Sequence, residues 1–324
     1  MNVQLPEIRL KTINLLVTNR CNLWCSMCDY KVFRHTVQDL RLDQIITLID
    51  DARDLGLEYL NISGGEPMVR NDIYDIISHA SKLVTTVSIM TNGTLIGEEE
   101  ADKLVNAGLK TVVISLEGFE EFNDAMRGKG NFKKSIQAIR HLQTHRNKLW
   151  CIKVGITLSR QNYKQIYDFS KHLIEEIGID SISLSPFNEH LLHWKKTEYI
   201  KGFQIQENDM HDLRYEIDRI IAYYKTTGIS TQDISFFQKI PDYFAGKSMV
   251  PASSCYQPFT GCAIEANGNV YPCWGDIRIA GNITSSSLKT IIGSDIYIKG
   301  CHAAFHNQCK GCLLACYDEL HSDR

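Results

Sequence analysis

The sequence has no apolar run long enough to span a bilayer, which argues against a helical membrane protein. It also lacks a basic stretch leading into an apolar core. Residues 1–11 alternate polar and apolar side chains, so no secretory signal is read there. Charge of one sign is not in excess either. The 35 Lys and Arg against 38 Asp and Glu give a net charge of −3, which offers nucleic acid or an anionic membrane no electrostatic attraction. No internal repeat or low-complexity tract interrupts the chain. These absences leave a cytoplasmic, globular protein with no nucleic-acid or membrane partner expected. Its composition is ordinary (44 % apolar, 23 % charged), and 324 residues suffice for one large core or a core plus a small appended domain.

Cysteine, by contrast, is abundant. Eleven of them, an odd number in a chain without an export signal, point to metal binding or redox work rather than disulfides. Ten fall into two groups, one near each end. Cys151 stands alone in the strand-like residues 149–158 and reads as a small buried hydrophobe with no role.

Between the two groups, strand and helix patterns alternate. Strand candidates at 13–18, 57–63, 84–90, 111–116 and 150–158 are followed by helix candidates at 41–55, 73–82, 98–107, 132–144 and 163–177, and a last strand is read at 181–185. In 41–55, for example, Leu42, Ile45, Ile46, Leu48 and Ile49 form one apolar face. Gly56, Gly108 and Gly178 stand where a left-handed cap ends a helix. Such alternation implies a parallel sheet with right-handed crossovers. Six strands are too few for an eight-stranded barrel, so the expected fold is α/β, an open or partial (βα)6 TIM-type barrel with its site at the carboxyl ends of the strands. From about residue 190 the pattern changes. The expected division is a core over 1–189, a connecting helical segment over 190–250 with an amphipathic helix at 209–224, and a small cysteine-rich domain over 251–324 with a hairpin around Asn267-Gly268.

The first cysteine group follows the first strand: Cys21-Asn22-Leu23-Trp24-Cys25-Ser26-Met27-Cys28. One loop brings three thiolates toward a common point. Structural zinc wants four ligands, and the nearest further candidate is His35. Three thiolates on a four-iron cube instead leave one iron with an open position. This spacing, opening a βα series, resembles the radical S-adenosylmethionine (SAM) superfamily, over about residues 12–186 with a further match near the C-terminus. The resemblance implies that Cys21, Cys25 and Cys28 ligate a [4Fe–4S] cluster and that SAM binds its open iron and is cleaved to a 5′-deoxyadenosyl radical. It also implies an external one-electron donor of flavodoxin or ferredoxin type.

The same resemblance marks SAM contacts at successive strand ends. Tyr30 looks like an adenine contact. Ser63-Gly64-Gly65-Glu66-Pro67 resembles the segment that holds the methionine amino group, its two glycines permitting close backbone approach to a ligand. Thr91 and Asn92 sit in the segment that faces the cofactor. At the fourth strand the family often has Asp where Glu117 stands, so Ser115 is the candidate there. Arg127 matches an Arg-Gly element that pairs with the SAM carboxylate, a geometry that suits a guanidinium. Thr157, at the fifth strand, lines the same cavity.

The second group is Cys255, Cys262, Cys273, Cys301, Cys309, Cys312 and Cys316. It resembles the SPASM or shorter twitch extension of this superfamily, which binds auxiliary [4Fe–4S] clusters. The resemblance implies one cluster on Cys255, Cys273, Cys309 and Cys312. Cys262 is an alternative to Cys255, and Cys301 and Cys316 leave room for a second cluster. Spacing alone does not separate iron from zinc. Only twenty residues precede Cys21, too few for the leader-binding domain that peptide maturases often carry. The expected reaction is therefore hydrogen abstraction from a polar small molecule of sugar, aminocyclitol or nucleoside type, leading to oxidation or rearrangement. The alternatives are maturation of a ribosomal peptide, by crosslinking or epimerisation, and a non-catalytic iron–sulfur scaffold or sensor. The aromatic and basic residues of 187–203, among them His190, His193, Trp194 and Lys195, are read either as pocket lining or as a packed connection.

Overall fold

A computed structural model describes residues 6–28, 38–188, 202–229, 234–249, 254–275, 278–308 and 312–313. Six parallel strands follow one another in space as in sequence: β1 (Thr12–Leu16), β2 (Tyr59–Ser63), β3 (Thr86–Thr91), β4 (Thr111–Ser115), β5 (Cys151–Leu158) and β6 (Ser181–Pro186). Between them run α1 (Leu42–Asp54), α2 (Ile73–Ala80), α3 (Glu98–Asn106), α4 (Glu120–Arg127), α5 (Asn131–Gln143) and α6 (Ile166–His172). α6 widens into a single π turn, Leu173–Ile177, before Gly178 ends it at φ 75°. Gly56 and Gly108 likewise end helical turns at positive φ.

Sequential order has a consequence. With every crossover right-handed, all the helices fall on one side of the sheet. The residues that face them are apolar and buried, as with Ile152, Val154, Ile156 and Leu158 on β5. The opposite, inner face carries none of α1 to α6. It is half-exposed and mostly polar: Asn14, Asn61 and Ser88 form a hydrogen-bonded row across β1, β2 and β3, with Asn61 Nδ2 donating to Asn14 Oδ1 (3.2 Å) and Ser88 Oγ to Asn61 Oδ1 (2.6 Å). A closed barrel fills this space with branched apolar side chains. Cys151 belongs to the same inner face. It is half-buried beside Ser181, with Sγ 3.4 Å from Ser181 Oγ, and not the enclosed hydrophobe expected from sequence.

The sheet does not stop at β1. After α7 (Met210–Thr227), α8 (Ile234–Phe244) and the single turn α9 (Gln257–Thr260), the chain returns as β7 (Gly261–Ile264), parallel to β1. β8 (Asn269–Tyr271) and β9 (Gly281–Asn282) then add antiparallel strands, giving nine in the order β6-β5-β4-β3-β2-β1-β7-β8-β9. The Asn267-Gly268 turn forms the expected hairpin, with Gly268 at φ 89°. α10 (Leu288–Ile292) and α11 (Asp295–Phe305) close this end, each capped by a serine, Ser287 and Ser294, that accepts a backbone N–H. One apolar core runs from Leu10 through the helix-facing strand residues to Leu313. Among the described residues no helix is long and apolar enough to cross a membrane.

Candidate active site

The cysteine loop is tied down at both ends. Where β1 runs out, Val17 N donates to Ser63 O (2.9 Å). Thr18 Oγ1 then donates to Asp39 Oδ2 (2.5 Å), and Asn19 N to Asp39 Oδ1 (3.1 Å), so Asp39 holds the loop's entry against its exit. Buried Arg70 completes the clamp by donating to the carbonyls of Val17 (2.7 Å) and Leu40 (2.9 Å) while paired with Asp72. Further along, Ser26 N donates to Met126 O (2.8 Å), and Met27 packs on Met126, Phe187 and Phe203. The three cysteines therefore project from a fixed loop. Cys25 is 8 % exposed, and Cys21 and Cys28 are half-buried. Burial pushes the Cys25 thiol up to about 11. Arg127 opposes that shift, and the sulfurs of Cys28 and Cys21 and the Glu117 carboxylate reinforce it. The sulfurs of Cys21 and Cys28 and the Arg127 guanidinium thus all act on Cys25.

The Gly64-Gly65 turn approaches this loop rather than an open cavity. A Cβ on Gly64 would collide with Thr18 O, and one on Gly65 with Arg20 O. The close approach lets Gly65 N donate to Thr18 O (2.7 Å) and Glu66 N to Arg20 O (2.8 Å). Glu66 itself is 1 % exposed. It accepts from Thr91 Oγ1 (2.6 Å), Asn92 N (2.7 Å) and Met68 N (3.0 Å). Burial pushes its carboxyl up, and these three donors oppose the shift. Asn92 extends the network to the cysteine loop, donating from Nδ2 to Asn22 Oδ1 (2.9 Å), while Asn22 Nδ2 donates to Thr94 Oγ1 (2.8 Å). Glu66, Thr91 and Asn92 are thereby brought together with the cysteine loop.

At the ends of β4 and β5 the hub is Glu117, the residue that sequence reasoning passed over for Ser115. Glu117 is fully buried and pairs with Arg127. Its other oxygen accepts from Thr157 N (2.8 Å), its own N–H donates to Asn123 Oδ1 (3.0 Å), and its carbonyl accepts from Asn162 Nδ2 (2.9 Å). Burial pushes the Glu117 carboxyl up, and the guanidinium opposes it. Arginine keeps its charge in any protein setting, so a cation always stands beside this carboxyl. Arg127, read from sequence as a partner for the SAM carboxylate, has an internal counter-ion. Ser115 and Thr157 stand half-exposed on the inner face at the same strand ends. Tyr30 lies outside the described residues, as do His190, His193, Trp194 and Lys195. Phe187 and Phe203, at the two ends of that stretch, pack on each other with ring centroids 5.3 Å apart.

In the C-terminal group, Cys255, Cys273 and Cys312 are half-buried and Cys262 and Cys301 are buried, while Cys309 and Cys316 lie outside the described residues. Burial alone pushes the Cys262 thiol up to about 12. Tyr297 on α11, enclosed at 0 % exposure, donates to Pro258 O (3.0 Å). Burial raises its phenol well above the usual range, and Cys262, Cys301 and Cys273 add to that. These three sulfurs thus act on one phenol, and Cys301 Sγ also donates to Pro258 O (3.5 Å).

Residues 15–173 match the Radical SAM superfamily, and residues 255–313 match SPASM, an iron–sulfur cluster-binding domain. The chain belongs to the radical SAM superfamily. It is 34 % identical over 279 residues to the mycofactocin maturase MftC of Mycolicibacterium smegmatis, an alignment that spans 83 % of this chain and 66 % of that protein. To the GTP 3′,8-cyclase of Desulforamulus reducens it is 30 % identical over 287 residues, spanning 81 % of this chain and 80 % of that enzyme. The fold matches crystal structures of Streptococcus suis SuiB bound to its precursor peptide SuiA (TM-score 0.70, 20 % identity, 98 % of this chain and 74 % of that one) and of native anSMEcpe with bound AdoMet and Cp18Cys peptide (TM-score 0.70, 18 % identity, 98 % and 92 %).

The chain spans just under two thirds of the length of the mycofactocin maturases it matches, and its two matched domains are those that hold a [4Fe–4S] cluster with SAM and auxiliary iron–sulfur clusters. Its residues fit that complement. Three thiols on one anchored loop, two of them acting on Cys25 together with a buried cation, suit an anionic cluster with thiolate ligands. When bound, cluster and SAM supply a carbon radical able to take a hydrogen atom from an unactivated C–H bond.

Proposed function

We propose that this chain matures a peptide, removing a hydrogen atom from one of its residues so that a crosslink or another new bond forms. The observation that carries this is the likeness to a mycofactocin maturase along 83 % of the chain. The fold's likeness to structures solved with bound peptides adds support. The preference for a small molecule drawn from the twenty residues before Cys21 gives way to it. A small polar substrate remains the second reading, because the likeness to a GTP 3′,8-cyclase spans 80 % of that enzyme.

In this reading Cys21, Cys25 and Cys28 hold the SAM-binding cluster. Glu66 receives the ammonium of SAM, with Thr91, Asn92 and Met68 fixing the carboxylate that does so. Ser115 and Thr157 face the cofactor from the inner side, and Gly64 and Gly65 bring the Glu66 turn onto the cysteine loop. Arg127 provides a buried positive charge beside the cluster, kept in place by Glu117. Cys255, Cys273, Cys309 and Cys312 hold one auxiliary cluster, and Cys262, Cys301 and Cys316 are the further thiols available there. An external flavodoxin- or ferredoxin-type protein supplies the electron. We divide the chain by role into 1–189, 190–250 and 251–324, although β7 continues the same sheet.

The test is anaerobic turnover of the reconstituted protein with SAM, reductant and the short peptides encoded beside its gene. Maturation predicts a peptide lighter by hydrogen, formed together with 5′-deoxyadenosine. If every peptide stays unchanged while sugars or nucleotides are converted, the second reading holds.

A further inference from the structure

The inner face of the sheet carries one charged side chain among its described strand residues, Lys153 on β5. It alternates with buried Ile152 and Val154 and is itself half-exposed, which puts it on the face opposite α1 to α6. Its register partners are Val113 on β4 and Ser181 on β6. No ion pair joins it to any carboxylate among the described residues, whereas most other basic groups near the strands have one, such as Arg127 with Glu117, Arg146 with Asp180 and Arg70 with Asp72.

The wall above Lys153 is low. The next inner-face position on β5 is Gly155, paired with Ser115 on one side and Ser183 on the other. The one after is Thr157, paired with Ser185. Short hydroxyl side chains and a glycine therefore stand on the inner face between the strand ends and Lys153, with Val113 Cγ1 closing on the glycine, 3.1 Å from where its Cβ would lie. At about 3.3 Å per residue, Lys153 sits roughly 13 Å below the level of Thr157. A cation half-withdrawn from water and without a carboxylate partner among the described residues is stabilised by an anion that meets it. A carboxylate does so best, through a charge-assisted hydrogen bond.

We infer that Lys153 anchors a carboxylate of the substrate deep in the open barrel, while the carbon to be attacked lies above it at the strand ends. This deepens the peptide reading and rests on it for the nature of the chain that carries the acid. Two sources share the chemistry, a peptide's terminal carboxylate and an Asp or Glu side chain. In either case the attacked residue lies within about four extended residues of the acid. Lys153 acts on specificity and positioning; it does not touch the reacting atoms.

The experiment is equilibrium dialysis of the reconstituted full chain with SAM against defined probes. These are random octapeptide pools with free or amidated C-termini, each made with and without Asp and Glu, and a non-peptide pair, glucuronate and glucose. Wild type, Lys153→Met and Lys153→Arg are compared, with iron content as the check on folding. The expected result is that wild type retains at least one acid-bearing probe about tenfold better than Lys153→Met does. Lys153→Arg restores most of the difference, and acid-free probes are indifferent to the substitution. Loss of the effect on amidation assigns the terminal carboxylate, and loss on omitting Asp and Glu assigns a side chain. Discrimination confined to glucuronate keeps the anchor and overturns the peptide reading. Equal retention of all acids by wild type and Lys153→Met, or no acid retained by wild type, overturns the anchor itself.

Discussion

Cys25→Ala protein, purified without oxygen and reduced in the presence of SAM, forms no 5′-deoxyadenosine above background and carries about four fewer irons per chain than wild type. Cys25 is the most enclosed of the three thiols, and the loop around it is fixed at Thr18, Ser26 and Met27 by contacts to three separate parts of the barrel. A loop held in this way cannot close up to let two thiolates do the work of three. Its enclosure also denies the vacated position to a replacement ligand from solvent. The auxiliary cysteines belong to the other end of the sequence and retain their iron, so the loss is one cube and not all. Iron assay and product chromatography check the two halves of this expectation separately.

The second large effect is expected at Glu117. Glu117→Gln keeps the shape of the side chain and removes the counter-ion of a guanidinium that is itself 10 % exposed. Removing one member of such a pair costs about 3–5 kcal/mol, because the remaining charge stays buried without compensation. Arg127→Met is expected to cost less, since a lone buried carboxyl escapes its penalty by taking up a proton whereas a guanidinium cannot release one. The double variant Glu117→Gln, Arg127→Met then recovers part of the loss, and denaturant titration of the four proteins measures the coupling. Because Arg127 follows Met126, whose carbonyl anchors Ser26, the Glu117→Gln protein should also bind its iron more weakly.

Much of the fold was legible because its strands obey a simple rule. On β5 every second residue is a buried aliphatic, and each of β1 to β5 is followed by a helix with one apolar stripe, so the six parallel strands can be read along the chain. β7 was hidden. Its four residues, Gly-Cys-Ala-Ile, are all buried and show no alternation, and its partner β1 lies some 250 positions away in sequence. α10 and α11 are not among the elements read from the sequence; in the structure Ser287 and Ser294 cap them. At the site, the residues that meet the backbone of the cysteine loop were recognised by spacing, while those that act through a partner were not. Glu117 is defined by Arg127, ten positions away, and Asp39 by Thr18, so neither announces itself in a local pattern. The two glycines carried a true signal of close approach, but the sequence does not say what approaches.

The account turns on an open iron site beside the Glu66 turn. It is tested most directly by electron paramagnetic resonance of the reduced Cys255→Ala, Cys273→Ala, Cys312→Ala protein, recorded with and without SAM. The prediction is a reduced [4Fe–4S] signal from the remaining cysteines whose g-values shift when SAM is added. A signal indifferent to SAM, or a protein holding zinc and no iron at Cys21, Cys25 and Cys28, contradicts it.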